Sequence, residues 1–220
     1  MHSIDAFLLT RQWRDGPDGI ELVFWAWSGK GPLRLVVSGE EAVCFVGRGA
    51  TLPPAPAPAD RRTVALAGMD GTPVDALYFR HQRDLLRFRE ALAGTGTTLY
   101  ESDLKPADRY LMERFINGGV NVHGEARHRD GYIEVHNPRL RAAGVEPRLR
   151  CVSLDIETSD LDGVIYSIAL AMAEDRIVIL VGDAISGAPD YLHVVNDEHA
   201  LLRMAIDWLN NPRYALMSTI

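Results

Sequence analysis

Cysteine is almost absent from this chain of 220 residues, with Cys44 and Cys151 the only two. They stand far apart and neither has a partner at metal-ligand spacing, which excludes a disulfide scaffold and a zinc ribbon, so each reads as a buried free thiol. Long apolar runs are missing too. The most apolar stretch, Val164 to Ala173, is about half of the roughly 20 residues a membrane span requires. The opening Met1-His2-Ser3-Ile4-Asp5 has neither the positive flank nor the apolar segment of a secretory signal, and a cytoplasmic protein with no membrane partner is expected. Gly47-Arg48-Gly49 and Gly94-Thr95-Gly96 lack the third glycine and the strand-to-helix setting of a dinucleotide loop and read as turns. No nucleophile-elbow spacing supports a Ser/His/Asp set. His123, His128 and His136 are too irregularly spaced for one strand face or one helix to gather them around a metal.

What the chain does have is apolar material for a core. With 47% hydrophobic and 24% charged residues in 24.4 kDa, it lies in the range of one large or two small domains. The formal charge of −7, from 23 Lys+Arg against 30 Asp+Glu, argues against a chain that grips nucleic acid over its whole surface. That charge is unevenly divided. Residues 1–150 carry 20 basic and 19 acidic side chains, whereas residues 151–220 carry 3 and 11. Such asymmetry points to a local need for carboxylates in the last third.

Turn signals and periodicity divide the chain further. Apolar runs at Phe7–Trp13, Ile20–Trp27 and Leu33–Val37, separated by Gly, Asp and Pro, predict an antiparallel β unit over residues 1–50. Residues 51–60 hold Pro53, Pro54, Pro56 and Pro58 and read as an exposed, extended connector. Residues 74–137 read as a β-α-β-α unit of ferredoxin-like outline. It comprises a strand at 74–80, a helix at 81–93 turning Leu85, Phe88 and Leu92 inward, a strand at 97–101 and a helix from Pro106, with finishing strands expected at 121–128 and 132–136. Arg80, Arg83, Arg87 and Arg89 read as a solvated face balanced by Asp84 and Glu90. No alternation of Phe or Tyr marks a base-stacking platform. The proline-bounded loop 138–147 sets an expected boundary between domains 1–147 and 148–220. In the second domain, strands at 149–156, 164–173 and 176–181 are expected to form an antiparallel meander. Asp197 then caps a helix through Leu209 that buries Leu201, Leu202, Ala205, Ile206 and Leu209.

The first strand of that meander carries the chemistry. Strand side chains alternate, so in Leu154-Asp155-Ile156-Glu157-Thr158 the two acids share one face while Leu154 and Ile156 are expected to enter the core. Strands disfavour Asp, and like charges roughly 7 Å apart on one face repel unless a cation lies between them. Mg²⁺ or Mn²⁺ takes oxygen ligands and suits a site of two carboxylates and a phosphate. On the residues alone, two solvated acids entering a loop are the alternative.

The stretch Leu154–Thr158 resembles the first exonuclease motif of family-B DNA polymerases. Upstream, Leu99-Tyr100-Glu101-Ser102-Asp103-Leu104 followed by Arg109-Tyr110-Leu111-Met112-Glu113-Arg114-Phe115-Ile116 is similar to the segment those polymerases carry ahead of the exonuclease domain. The opening Phe7-Leu8-Leu9-Thr10-Arg11-Gln12-Trp13-Arg14-Asp15 resembles the start of the bacterial members. The resemblance covers nearly the whole chain. It implies an α/β (α+β) fold, in which a β-rich polymerase N-terminal domain precedes an incomplete ribonuclease H-like exonuclease domain. It further implies a DNA-directed DNA polymerase with 3′-5′ proofreading, serving replication and repair, whose partners are the DNA template and the primer 3′ end. In that scheme Asp155 bridges two Mg²⁺ (or Mn²⁺) ions and Glu157 binds the ion on the nucleophile's side. The family's second motif, with its Asn, aromatic and Asp, and its third, Tyr-x-x-x-Asp, do not occur in these residues. The expectation is therefore an N-terminal fragment without the polymerase C-terminal region, binding metal weakly and inactive by itself. Two other readings stand beside it: a non-catalytic nucleic-acid-binding module, and a free-standing exonuclease completed by another chain.

Overall fold

Period-two alternation puts Ile20, Leu22, Phe24 and Ala26 on one side of a strand and Leu33, Leu35 and Val37 on one side of the next, and all of them are buried. The computed structural model describes residues 2–54, 56–148, 151–160, 162–173 and 175–211. It opens with β1 (His2–Gly16), β2 (Gly19–Ser28), β3 (Gly31–Glu40) and β4 (Ala42–Gly47). There follow β5 (Asp60–Ala67), β6 (Pro73–Phe79), α1 (Gln82–Ala91), β7 (Leu99–Tyr100) and α2 (Pro106–Met112). Next come β8 (Gly119–Gly124), β9 (Ala126–His128), β10 (Ile133–His136) and β11 (Arg139–Ala142). The last are β12 (Ser153–Thr158), β13 (Ile165–Ala171), β14 (Arg176–Val181), β15 (Leu192–Val195) and α3 (Glu198–Leu209). Two compact units result, Met1–Glu146 and Pro147–Ile220.

In the first unit a seven-stranded sheet runs in the order β11-β8-β1-β2-β3-β10-β9. Only Glu125 separates β8 from β9, and only Asn137 and Pro138 separate β10 from β11. The two edges of the sheet are therefore one bent hairpin. Its β8 half pairs antiparallel with β1, its β10 half pairs parallel with β3, and the sheet closes on itself as a barrel. Gly124 sits at the bend, where an added Cβ would come within 2.6 Å of Val135 Cγ1. Glycine is what lets the strands approach there.

The strands expected at 121–128 and 132–136 to finish the β-α-β-α unit thus belong to the first sheet, and β11 lies in the stretch expected to be a loop. The remaining elements form a four-stranded sheet, β5-β6-β4-β7, with α1 and α2 packed beside it. Strand β5 belongs to no predicted unit, and β4, which lies within the β unit expected over residues 1–50, belongs to this second sheet instead. One apolar core joins the barrel interior to this second layer. Phe88 of α1 meets Phe79 at 5.1 Å between ring centroids, and Tyr110 of α2 meets Phe24 at 5.8 Å. His81, at the N-cap of α1, supplies no side-chain cap. Asp15 from β1 does so instead, accepting from the Gln82 and Arg83 amides at 2.8 and 3.2 Å. Long-range capping satisfies the free amides of a helix start as well as a local residue does.

Glu134 locks the closure. Only 4% exposed, it lies opposite Arg34 across the parallel β3–β10 pair. It accepts from Arg34 at 2.6 Å and from Arg129 at 2.9 Å, with His136 Nε2 at 3.1 Å. The hydrogen bonds from Arg129, Arg34 and His136 hold its carboxyl down at about 2.

In the second unit β12-β13-β14-β15 form one sheet, with β15 running parallel to β14. Asp197 caps α3 by accepting from the Ala200 amide at 2.7 Å. The helix buries Leu201 and Ala205 against Ile168, Leu170, Ile177 and Ile179. Leu202, Ile206 and Leu209, expected on its buried side, are exposed, because the side of the helix that meets the sheet is the one carrying Leu201 and Ala205, with Met204 and Trp208 packed beside them.

Two outcomes follow. Cys44 is fully buried and burial pushes its thiol up to about 12, whereas Cys151, expected to be buried, is exposed. A thiol-reactive dye should label one cysteine in the native chain and both in denaturant. The depressed Glu134 carboxyl contributes stability that is complete above its ordinary value of 4.5 and is lost as pH falls toward about 2. Acid unfolding curves should show Glu134→Gln less stable than the parent at neutral pH, with the difference shrinking through that window. A pH-independent difference would contradict the assignment.

Candidate functional site

The strand β12 is an edge, hydrogen-bonded on one side to β13 with Asp155 opposite Ala169 and Glu157 opposite Ser167. Its register shifts between Glu157 and Thr158. The two carboxylates share a face as the alternation predicts. Every residue from Ser153 to Thr158 is exposed. Leu154 and Ile156 therefore do not enter the core; they are 55% and 44% exposed. The reason lies in where α3 sits. Ile156 and Leu154 pair with Ile168 and Leu170, whose face α3 covers, but the helix core contacts fall on β13 and β14 and stop short of β12. Asp155 and Glu157 consequently lie on the sheet face away from α3.

Neither carboxylate makes a hydrogen bond or ion pair among the described residues. No group of three or more His, Cys, Asp or Glu side chains is placed to hold a metal ion among them either. The pair stands as two free, hard oxygen donors on a strand at two-residue spacing. His123, His128 and His136 fall on three different strands or strand ends, and His136 is engaged by Glu134.

The other segment that carried a resemblance, 99–116, folds around Arg109. This buried guanidinium pairs with Glu101 at 2.7 Å and lies 5.4 Å from the Phe45 ring centroid. Glu101 holds a left-handed φ of +55°, a strained conformation for a side chain of its kind that the Arg109 contact supports. A cavity of about 730 Å³ opens beside them, lined by Phe45, Met69, Tyr100 and Met112 among others.

One feature escaped the sequence reading altogether. Trp25 and Trp27 share the outer face of β2, and Tyr132 meets Trp25 edge-on at 5.2 Å between centroids. This is an aromatic platform where none was expected. Its sequence signal is two tryptophans spaced by two in a strand, which a Phe and Tyr alternation does not include.

Edge exposure of β12 gives a direct comparison. Ile156→Thr should change urea-unfolding stability by less than about 1 kcal/mol, as at an ordinary surface site. Ile179→Ala, fully buried under α3, should cost about 2–5 kcal/mol. Similar costs at both positions would contradict the exposed edge.

Comparison with known proteins places the chain. A family profile described as "DNA polymerase II, N-terminal" matches residues 6–41. DNA polymerase II of Escherichia coli (strain K12) is 36% identical over 193 residues, covering 80% of this chain and 23% of that protein. The chain thus spans about a quarter of that relative's length. Among solved structures, the family B DNA polymerase from the hyperthermophilic archaeon Pyrobaculum calidifontis superposes with a TM-score of 0.56 at 15% identity, covering 94% of this chain and 29% of that one. The mixed α+β fold is that of the front of a family-B polymerase.

Proposed function

We propose that this chain, whose sequence and fold match the N-terminal region of a family-B DNA polymerase of the polymerase II type, contributes DNA binding and the first metal-binding carboxylates of a 3′-5′ proofreading exonuclease. The observation that carries the proposal is the placement of Asp155 and Glu157 on one open face of β12, free of any internal partner among the described residues. Nothing in the local packing uses these acids. On a strand, two unpaired carboxylates at this spacing raise the free energy of the chain unless a cation neutralises them.

The donor set fits Mg²⁺ or Mn²⁺, which prefer hard oxygen ligands. Asp155 and Glu157 would hold the ion. When bound, such an ion lowers the pKa of a coordinated water and neutralises charge on an attacked phosphodiester. The residues of the chain have the separate task of fixing where that charge sits. The pleat of β12 keeps both carboxylates on one side, and pairing with Ala169 and Ser167 leaves small side chains beside them, so a phosphate has room to approach. Mg²⁺ prefers about six oxygen ligands. Two carboxylates supply a minority of them, which makes weak binding the expectation.

Isothermal titration of the purified chain with Mn²⁺ should show millimolar-range binding that disappears in Asp155→Asn/Glu157→Gln. A 3′-labelled single strand incubated with the same chain in Mg²⁺ should remain intact. Metal binding unchanged in the double variant would overturn the assignment of these residues. Degradation abolished by Asp155→Ala would overturn the partial site and favour a free-standing exonuclease whose other carboxylates come from a second chain.

A further inference from the structure

The β5-β6-β4-β7 sheet turns Cys44, Val46, Leu77 and Phe79 toward α1 and the core. Strand alternation and cross-strand pairing put Val43, Phe45, Tyr78 and Tyr100 on its opposite face. Two concavities of about 730 and 310 Å³ lie there. Both include Phe45, Leu66, Arg109 and Glu113, so they form one groove. Its floor is the open sheet face. Its wall is the flank of α2 and its C-cap that carries Arg109, Met112 and Glu113, three and four positions apart.

Exposed apolar surface of the first unit gathers at this groove. Among its described residues five large apolar side chains are exposed, and three of them, Leu66, Met69 and Met112, line it. Clustered apolar exposure marks an interaction surface, whereas scattered exposure does not. Methionine, unbranched and polarizable, adapts its shape to a partner's side chains. The charged groups around this apolar floor are mostly acidic. Glu40, Glu41, Glu101 and Glu113 line the groove, with Arg109 the one cation among the described lining residues. Arg109 is already engaged by Glu101 at 2.7 Å and Glu113 at 3.7 Å. Neither Glu40 nor Glu41 has an ion-pair partner among the described residues. Burial pushes the Glu40 carboxyl up, and Glu113 and Glu41 add to this against the pull of Arg114. A cation brought by a partner relieves that crowding, whereas a phosphate backbone meets repulsion. The free edge of β5 is a poorer place for a partner strand. Its register breaks between Thr63 and Ala67, and such an irregularity turns an edge away from further pairing.

We propose that this groove receives a basic amphipathic helix of a protein partner, its apolar stripe lying on Phe45, Leu66, Met69 and Met112 and its Lys or Arg side chains meeting the surrounding glutamates. Helix-in-groove recognition uses an apolar trough of this kind, read by anchors at i, i+3/4 and i+7. The acidic surround sets the charge of the partner and suppresses acidic competitors. Adaptable methionines let one groove take helices of differing sequence. The inference goes beyond nucleic-acid and metal chemistry, and it uses neither Asp155 nor Glu157.

The test is a fluorescence-anisotropy titration of the purified chain against a dye-labelled model peptide, LKKLLKLLKKLLKL, which folds as a helix with one leucine face and one lysine face. A scrambled peptide of the same composition and the glutamate counterpart LEELLELLEELLEL are the controls. The expected result is binding of the lysine peptide, a gain of helix by circular dichroism, affinity falling with salt, and controls at least about tenfold weaker. Met69→Ser/Met112→Ser should weaken binding about tenfold. Glu40→Gln/Glu41→Gln should weaken it about fivefold and flatten the salt dependence. Met69 and Met112 are exposed, so their variant keeps the fold, which thermal melting checks; the glutamate variant is a second, independent readout. Unchanged affinity in both variants would overturn the proposal. So would equal binding of the scrambled or glutamate peptide, which would mark unspecific apolar adhesion. Loss of labelled dT₁₂ binding in Met69→Ser/Met112→Ser would likewise overturn it, by marking the groove as a nucleic-acid surface. Retained peptide binding in Asp155→Asn/Glu157→Gln supports the groove, and its loss would overturn it. The same variant's metal titration reports separately on the exonuclease reading.

Discussion

The parallel pairing of β3 with β10, sealed by the Glu134 cluster, is the interaction on which the first unit depends. Its two strands are separated by all of β4 to β9, so the pairing offsets a large loop-closure entropy before any neighbouring contact forms. Once made, it determines much else. It turns an open seven-stranded sheet into a barrel, buries Ile133 and Val135 against Leu33 and Leu35, and leaves β2 and β3 with a curved outer surface. It also requires the intervening segment to pack as a second layer. That layer is attached to the barrel by Tyr110 against Phe24, by the Arg11–Asp108 pair, and by the Asp15 cap on α1. Burying a carboxylate at the seam is costly unless each oxygen is satisfied. Two arginines and a histidine on Glu134 meet that condition, and removing any one of them leaves charge unbalanced inside the structure.

The second unit shows the opposite situation. Among the described residues its core is small, centred on β13, β14 and α3, and the strand that carries Asp155 and Glu157 lies at the margin. Asp155 and Glu157 on an edge also have a physical effect that needs no ligand, since charged side chains discourage edge-to-edge pairing with another chain. The same two acids thus protect the strand and present oxygen donors. Leu154 and Ile156, on its other face, are exposed, and so are Leu202 and Ile206 of α3.

Local signals were the legible ones. The alternation in β2 and β3, the Asp197 cap of α3, the Pro106 start of α2 and the shared face of Asp155 and Glu157 all depend on residues a few positions apart. Barrel closure did not declare itself, because a parallel pair between residues 33–36 and 133–136 leaves no mark in either segment. The exposure of Leu154 and Ile156 was hidden for a related reason: periodicity tells which side chains share a face but not whether anything covers it. The Trp25–Tyr132 platform joins a strand to a loop more than a hundred positions on, and only the closed barrel brings them together. Of the candidate site, the residues could be read, whereas their depth could not.

Hydrogen exchange of the whole chain, resolved by peptide, tests the closure most directly. The account predicts that amides of β2, β3, β8 and β10 are protected to a similar degree and open together as one cooperative unit, while those of β12 exchange much faster. Residues 119–142 opening together with β6 and α1, while β1 to β3 remain closed, would contradict it.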